Sequence, residues 1–240
     1  MIKKGDVRPP YQRIASDLRA QIMSGDLEPG TQLPSTPQLV EQYEAANTTI
    51  QKALSALKDE GFLRSQMGKG VYVRDRKPFV IDAVSYFAPA PEGYTYQLLE
   101  VAEVRPPAEV VDALELEAGG TAWLRSRLTL HAGEPVELSW SYYPVEIAAG
   151  SPLASRGKIR GGAPKILAEL GCPQRELIDQ LSVRQPTSAE VEALELPVNV
   201  PVIRQFRVIY SDDRRPVEAS VMVKGGHRYE LRYRQAVLES

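Results

Sequence analysis

The chain has 240 residues, 43% of them apolar and 25% charged, an ordinary globular composition with length enough for two modest cores. Its formal net charge of −2 excludes a uniformly basic coat for nucleic acid, and no apolar run approaches the roughly 20 residues that span a bilayer. The single cysteine, Cys172, and the two histidines, His131 and His227, allow no internal disulfide and give no metal-ligand spacing, so a cytoplasmic chain with no metal, cofactor or membrane partner is expected. Residues 1–77 carry 12 Lys and Arg against 9 Asp and Glu, so the acidic excess lies in the remainder.

From Tyr11, apolar residues at Ile14, Ala15, Leu18 and Ile22 repeat at helical spacing until Gly25. Pro10 suits the first turn of that helix, and Pro29-Gly30 marks the turn after it. Ser35 and Gln38 have capping-box spacing and predict a second helix that buries Leu39, Val40 and Tyr43. After a break at Glu44-Ala45-Ala46, a third helix sets Ile50, Ala53, Leu54 and Leu57 on one face and ends at Gly61. Phe62-Leu63-Arg64 and Val71-Tyr72-Val73 flank a glycine-bearing, cationic tip, the pattern of a hairpin. Three helices and a hairpin make a winged helix-turn-helix.

The organisation expected is therefore 1–73 as this reader, 74–79 as a charged linker ending near proline, and 80–240 as a second domain. In the second domain, strand-like runs at 98–104, 122–130, 136–143, 181–184, 202–210 and 217–223 interleave with helical ones at 108–114, 163–170 and 188–194. Turns at Ala132-Gly133-Glu134 and Asp212-Asp213-Arg214 join strands, so the fold class is α+β, an antiparallel sheet backed by helices. Glu-Pro-Val-Glu at 134–137 and Arg-Pro-Val-Glu at 215–218 make these two hairpins candidates for related units.

Several spaced motifs resemble the GntR family of bacterial regulators: Tyr11-Gln12, Ile14-Ala15, Leu18-Arg19, Pro29-Gly30, Leu33-Pro34-Ser35, Thr48-Thr49, Lys52-Ala53-Leu54, Glu60-Gly61 and Gly68-Lys69-Gly70. Further on, Arg125-Ser126-Arg127, Gly133-Glu134-Pro135-Val136, Ser141-Tyr142-Tyr143-Pro144, Leu194-Glu195-Leu196-Pro197 and Arg215-Pro216-Val217-Glu218 are similar to the UTRA domain of the HutC subfamily, whose fold is chorismate-lyase-like. The resemblance implies a homodimer on double-stranded, pseudopalindromic operator DNA, acting as a repressor whose affinity changes when a small-molecule effector enters the UTRA domain. It also implies effector-binding roles for Glu218 and Tyr229, with Glu137 a further candidate.

The DNA-binding residues expected are Ser35, Thr36, Asn47, Thr48, Thr49, Gln51 and Lys52, with Gly68 and Lys69 at the wing; the competing reading is a solvated helix face. The family's Pro-Ser-Glu-Arg is here Pro34-Ser35-Thr36-Pro37, and its Ser-Arg-Thr-Thr-Val-Arg is Ala46-Asn47-Thr48-Thr49-Ile50-Gln51. Amides thus replace two arginines. Arginine suits guanine, whereas Asn and Gln suit adenine, so an adenine-bearing half-site read by Asn47 or Gln51 is expected.

Arg125 and Arg127 lie two apart on a strand and share a face, which suits an anion or carboxylate; a solvent-facing pair is the alternative. The phosphate-binding turn of phosphosugar-sensing relatives reads Gly161-Gly162-Ala163-Pro164-Lys165, without a hydroxyl, so a phosphosugar is not favoured. Trp123 and Trp140 fit a core, and Cys172 fits a helix end. Two other functions remain open: a ligand-independent dimeric repressor, and a lyase-like enzyme, for which no catalytic residues are discernible.

Overall fold

The computed structural model describes residues 6–74, 79–82, 93–197, 200–227 and 229–233. They fall into two compact units that divide between residues 78 and 79.

In the first unit, α1 (Pro10–Ser24) opens on proline and stops at Gly25, whose φ of 87° suits the residue without a Cβ. Helix α2 (Thr36–Tyr43) starts as the capping box predicts, the Ser35 N–H donating to Gln38 Oε1 at 2.8 Å. A left-handed Glu44 ends it, and α3 (Asn47–Asp59) follows after the tight turn. Ile14 and Leu18 from α1, Leu39 from α2 and Ile50, Leu54 and Leu57 from α3 close one apolar core, each stabilising by about 1.5–3 kcal/mol. Arg19 donates twice to Glu60, at 2.8 and 2.7 Å, and ties α1 to the end of α3.

Strands β1 (Leu63–Gln66) and β2 (Gly70–Val73) pair as the expected hairpin, capping that core with Leu63 and Val73. Residues 30–33 run along β2: Leu33 N–H donates to the Val71 carbonyl and Val73 N–H to that of Thr31, both at 2.8 Å.

The second unit is built on a six-stranded antiparallel sheet in the order β4-β5-β6-β9-β8-β7, from Tyr94–Val104, Ala122–His131, Glu134–Pro144, Pro216–Gly225, Val202–Tyr210 and Glu176–Arg184. A short parallel pair, β3 (Phe79–Asp82) and β10 (Tyr229–Arg232), lies outside that sheet. Alternation along the strands gives the sheet two faces. Leu124, Tyr142, Phe206 and Val208 pack under α4 (Ala108–Ala113), while Leu138, Val202 and Val223 pack under Leu194 and Leu196 at the end of α7 (Ser188–Ala193). The residues between them point the other way. At one end of that opposite face, Tyr143 and Ile209 pack against α5 (Val145–Ala148), α6 (Gly162–Glu169) and Leu153 of a 3₁₀ turn.

The order strand, helix, strand, hairpin, strand occurs twice, with β6 and β9 meeting at the centre, so the sheet has the same connectivity read from either edge. Asp112-Ala113-Leu114-Glu115-Leu116 and Glu192-Ala193-Leu194-Glu195-Leu196 end the matching helices, and Glu115 and Glu195 both take left-handed conformations, φ 53° and 48°. The two Pro-Val-Glu motifs open or lead into β6 and β9.

Some bounds differ from the sequence reading. Phe79, assigned to the linker, opens β3, and residues 75–78 lie outside the described set. Strand β4 begins four residues before Leu98 and β7 five before Leu181, because both are edge strands whose polar outward residues blur the apolar period. Trp123 and Trp140 both pack, half-buried, against core clusters, and Cys172 is buried just past α6.

Candidate functional site

In the first unit, Asn47, Thr48, Gln51 and Lys52 are exposed on the first two turns of α3, with Thr49 half-buried beside them. Ser35 and Thr36 stand at the start of α2, where the Ser35 hydroxyl meets Gln38 at 2.7 Å. The two places where the family motif changes touch each other: Gln51 Nε2 donates to Thr36 Oγ1 at 3.1 Å. This contact leaves the Gln51 carbonyl oxygen and its second N–H to solvent, one acceptor and one donor side by side.

The wing tip carries Gly68 and Lys69, both exposed. A residue outside the sequence-derived set, Gln32, holds that tip by donating to the Lys69 carbonyl at 2.7 Å, and the Tyr72 hydroxyl reaches the same carbonyl at 3.2 Å. At Gly70, with φ 119°, a Cβ would come within 2.8 Å of Gln32 Nε2. The positive φ favours glycine there, and a Cβ would push the Gln32 amide off the Lys69 carbonyl. Among the polar residues before the hairpin, nothing in the sequence set Gln32 apart, because its partner is 37 positions away.

In the second unit, the sheet face opposite α4 and α7 is polar and buried. Arg127 Nη2 donates to Ser141 Oγ at 2.8 Å, Ser141 and Ser220 hydroxyl oxygens lie 2.8 Å apart, and Ser220 donates to Glu218 Oε1 at 2.7 Å. Two serines on neighbouring strands thus connect a guanidinium to a fully buried carboxylate. Beside this relay, Lys224 Nζ, 1% exposed, meets Glu137 Oε2 and Gln205 Oε1, both at 2.9 Å. The Tyr229 hydroxyl is 3.4 Å from Glu137 Oε2, and its ring lies 5.3 Å from Lys224 Nζ. Arg207 grips Asp179 through two bonds of 2.7 Å.

Burial sets the charges of this face. It pushes the Lys224 ammonium below its usual range, against the pull of Glu137. Burial also pushes the Tyr229 phenol upward, with Glu137 adding to the effect. For Asp179, burial alone would raise the carboxyl, and the hydrogen bonds from Arg207 outweigh it and hold it below the usual range.

Of the residues expected to bind effector, Arg127 and Glu218 are joined by the serine relay, and Glu137 and Tyr229 meet at Lys224. Arg125 is different. It shares the face with Arg127, yet its guanidinium donates to the carbonyls of Pro152, Leu153, Ser155 and Gly157, pinning the 3₁₀ turn and the loop after it. Sequence reading missed Ser141, Ser220, Lys224, Gln205, Arg207 and Asp179 as site residues; the available signal was polar residues two apart, Ser139 and Ser141 on β6, Gln205 and Arg207 on β8, Glu218 and Ser220 on β9. A cleft of about 130 Å³ opens beside Tyr229, lined also by Pro135, Val136, Leu194, Leu196 and His227.

A winged helix-turn-helix joined to a two-faced α+β sheet with a buried polar layer is the architecture of a two-domain DNA-binding regulator, and comparison with known families agrees. Residues 10–73 match the model of bacterial regulatory proteins of the gntR family, and residues 92–230 match the UTRA domain. An uncharacterized HTH-type transcriptional regulator of Streptomyces coelicolor is 28% identical over 247 residues, 94% of this chain and 92% of that one. The HTH-type transcriptional repressor NagR of Bacillus subtilis is 26% identical over 238 residues, 95% of each. Among solved structures, PhnF of Mycobacterium smegmatis superposes with a TM-score of 0.59 at 16% identity, covering 94% of this chain and 100% of that one. The C-terminal domain of the histidine utilization repressor of Pseudomonas syringae gives 0.52 at 17%, covering 60% of this chain and 99% of that domain.

The chain belongs to the GntR family, in its UTRA-bearing HutC subfamily. It is a DNA-binding transcriptional regulator and not an enzyme. Among the described residues, no helix is long and apolar enough to cross a membrane.

Proposed function

We propose that this regulator is a homodimeric repressor whose hold on its operator changes when a small, non-phosphorylated polar metabolite enters the buried polar face of the second unit. The observation that carries the sensing half is the relay from Arg127 through Ser141 and Ser220 to Glu218. Burying ions costs several kcal/mol each, about as much as their pairing returns, and an apolar sheet face would be at least as stable. A ligand with its own donors and acceptors can exchange with such groups, which gives these residues a use that stability does not. In this reading Arg127, Glu137, Glu218 and Tyr229 meet the effector, and Arg125 holds the loop that walls it. Repression is supported by NagR and the histidine utilization repressor, relatives that bear that activity in their names.

In the reader, Ser35, Thr36, Asn47, Thr48, Thr49, Gln51 and Lys52 face the duplex, with Gly68 and Lys69 of the wing beside it. Gln51 reads adenine, donating to N7 and accepting from N6, and Thr36 fixes its amide for that purpose. Domain limits of 1–73 and 79–240, with a linker between them that stops short of Phe79, belong to the same proposal.

The test is binding of the full chain to its own upstream DNA, with and without a panel of amino acids, sugars and dicarboxylates. One of these is expected to raise the melting temperature of the wild type and shift operator affinity, and to do neither with Glu218→Gln. A second reading, a ligand-independent dimeric repressor, draws on the fact that the pairs Arg207–Asp179 and Lys224–Glu137 already satisfy one another. Specific operator binding that no metabolite alters, together with an unmoved melting temperature, would favour it.

A further inference from the structure

We infer that the effector is a zwitterion of the α-amino acid class, whose ammonium group lies between Glu218 and the Tyr143 hydroxyl and whose carboxylate meets Arg127. This rests on the sensing reading above and names the ligand.

The two halves of the sheet carry the same charged frame. Arg127 and Arg207 each stand nineteen residues past the first residue of α4 and of α7, and Glu137 and Glu218 each close a Pro-Val-Glu motif. In the half that holds Arg207, the chain supplies both counter-charges itself. Asp179, opposite Arg207 on β7, brings a carboxylate to the guanidinium, and Lys224 brings an ammonium to Glu137, its cross-strand neighbour. At the matching places the other half has neither. Leu98 stands opposite Arg127 as Asp179 stands opposite Arg207, and Tyr143, six residues after Glu137, takes the place that Lys224 has six residues after Glu218.

Tyr143 itself points to a ligand. It is fully buried, and its hydroxyl finds no hydrogen-bond partner among the described residues. A buried hydroxyl in that state weakens the fold, so packing alone would be served better by phenylalanine. Burial pushes its phenol upward and Glu218 adds to this, which keeps the group neutral beside the carboxylate. A neutral phenol offers a lone pair to an ammonium. Glu218 is fully buried and Arg127 half-buried, so the ammonium end of the ligand lies inward and the carboxylate end outward. A dicarboxylate would set like charge against Glu218, and a neutral sugar matches neither charge. The polar layer runs on to Glu137 and Tyr229, which leaves those two to the rest of the ligand.

The test measures the melting temperature and operator affinity of the full chain with each of the common α-amino acids and, for any that binds, with the matching amine and α-hydroxy acid. Sugars and dicarboxylates form the comparison arm. One amino acid is expected to raise the melting temperature and shift operator affinity, and its amine and hydroxy acid to bind about a hundredfold more weakly, each having lost one charge. Tyr143→Phe is expected to weaken that binding by about tenfold while the unliganded melting temperature stays equal or rises, a result that a merely structural tyrosine would not give. Leu98→Asp, at a half-buried position, offers Arg127 the carboxylate that Asp179 offers Arg207, and is expected to weaken binding by a similar factor. A shift by a sugar or dicarboxylate and by no amino acid, equal binding of the amine or the hydroxy acid, full ligand affinity in either variant, or a lowered unliganded melting temperature in Tyr143→Phe overturns the zwitterion while sensing stands. A chain that no compound of any class stabilises or shifts on its operator overturns both.

Discussion

The two units solve the problem of burial in opposite ways. In the reader, the buried core is wholly apolar and every polar residue proposed for DNA sits outside it. In the second unit lie all the buried polar and charged side chains of the described residues, from Arg125 to Lys224, and most of them share one sheet face. A DNA reader needs one rigid surface, for which apolar packing suffices. A sensor, as proposed for the second unit, needs groups that can change partners, and those carry their cost before any ligand binds.

Removing one member of a buried pair should break this contrast most sharply. Asp179→Ala leaves Arg207, whose side chain is 4% exposed, without its carboxylate, and should destabilise the second unit by about 3–5 kcal/mol in urea unfolding. The corresponding cut in the reader, Arg19→Ala, removes an ion pair in which both side chains are partly open, and should cost about 1 kcal/mol or less. Equal losses would mean that the polar face is more hydrated than its exposure indicates. The same pair sets an acid limb. Because Arg207 holds the Asp179 carboxyl below its usual range, the pair contributes stability above about pH 4 that is lost as pH falls further. Asp179→Asn should therefore flatten the decline of stability between pH 5 and pH 3, measured against wild type in the same buffers.

Next in size is sequence reading by α3. Gln51→Ala should reduce discrimination between the chosen half-site and one with adenine replaced by about 1–3 kcal/mol. Lys52→Ala should weaken binding to all duplexes alike and lower the slope of affinity against salt by about one. If Lys52→Ala changed the preferred sequence instead, the assignment of specificity to Gln51 would be wrong.

How much of this was legible in the sequence differs between the units. Helical spacing of Ile14, Leu18, Ile50, Leu54 and Leu57 sufficed for the reader, because its contacts are local and its capping signals at Ser35 and Gln38 act within one turn. The sheet strands were found from β-branched and apolar runs, but the starts of β4 and β7 were not, since edge strands keep polar residues where central ones keep apolar ones. The site was harder. Ser141 and Ser220 lie 79 positions apart and meet only through the pairing of β6 with β9, which no local pattern encodes. Arg125 and Arg127 look alike in the sequence, and only the structure separates an anchor on the backbone carbonyls of residues 152–157 from a guanidinium that meets the serine relay.

The smallest effect concerns Thr36, and it separates two explanations of the altered reader. If Thr36 contacts DNA by itself, removing its hydroxyl should weaken binding whether or not Gln51 is present. If it acts by orienting Gln51, as the 3.1 Å bond indicates, the two substitutions should not add. Thr36→Val keeps the shape and loses one hydrogen bond of about 0.5–1 kcal/mol, so preference for the adenine half-site should fall by about two- to fivefold. In a Gln51→Ala background the same change should leave preference unaltered. An effect of full size in that background would assign Thr36 to the duplex and leave the paired loss of two family motifs as two separate events.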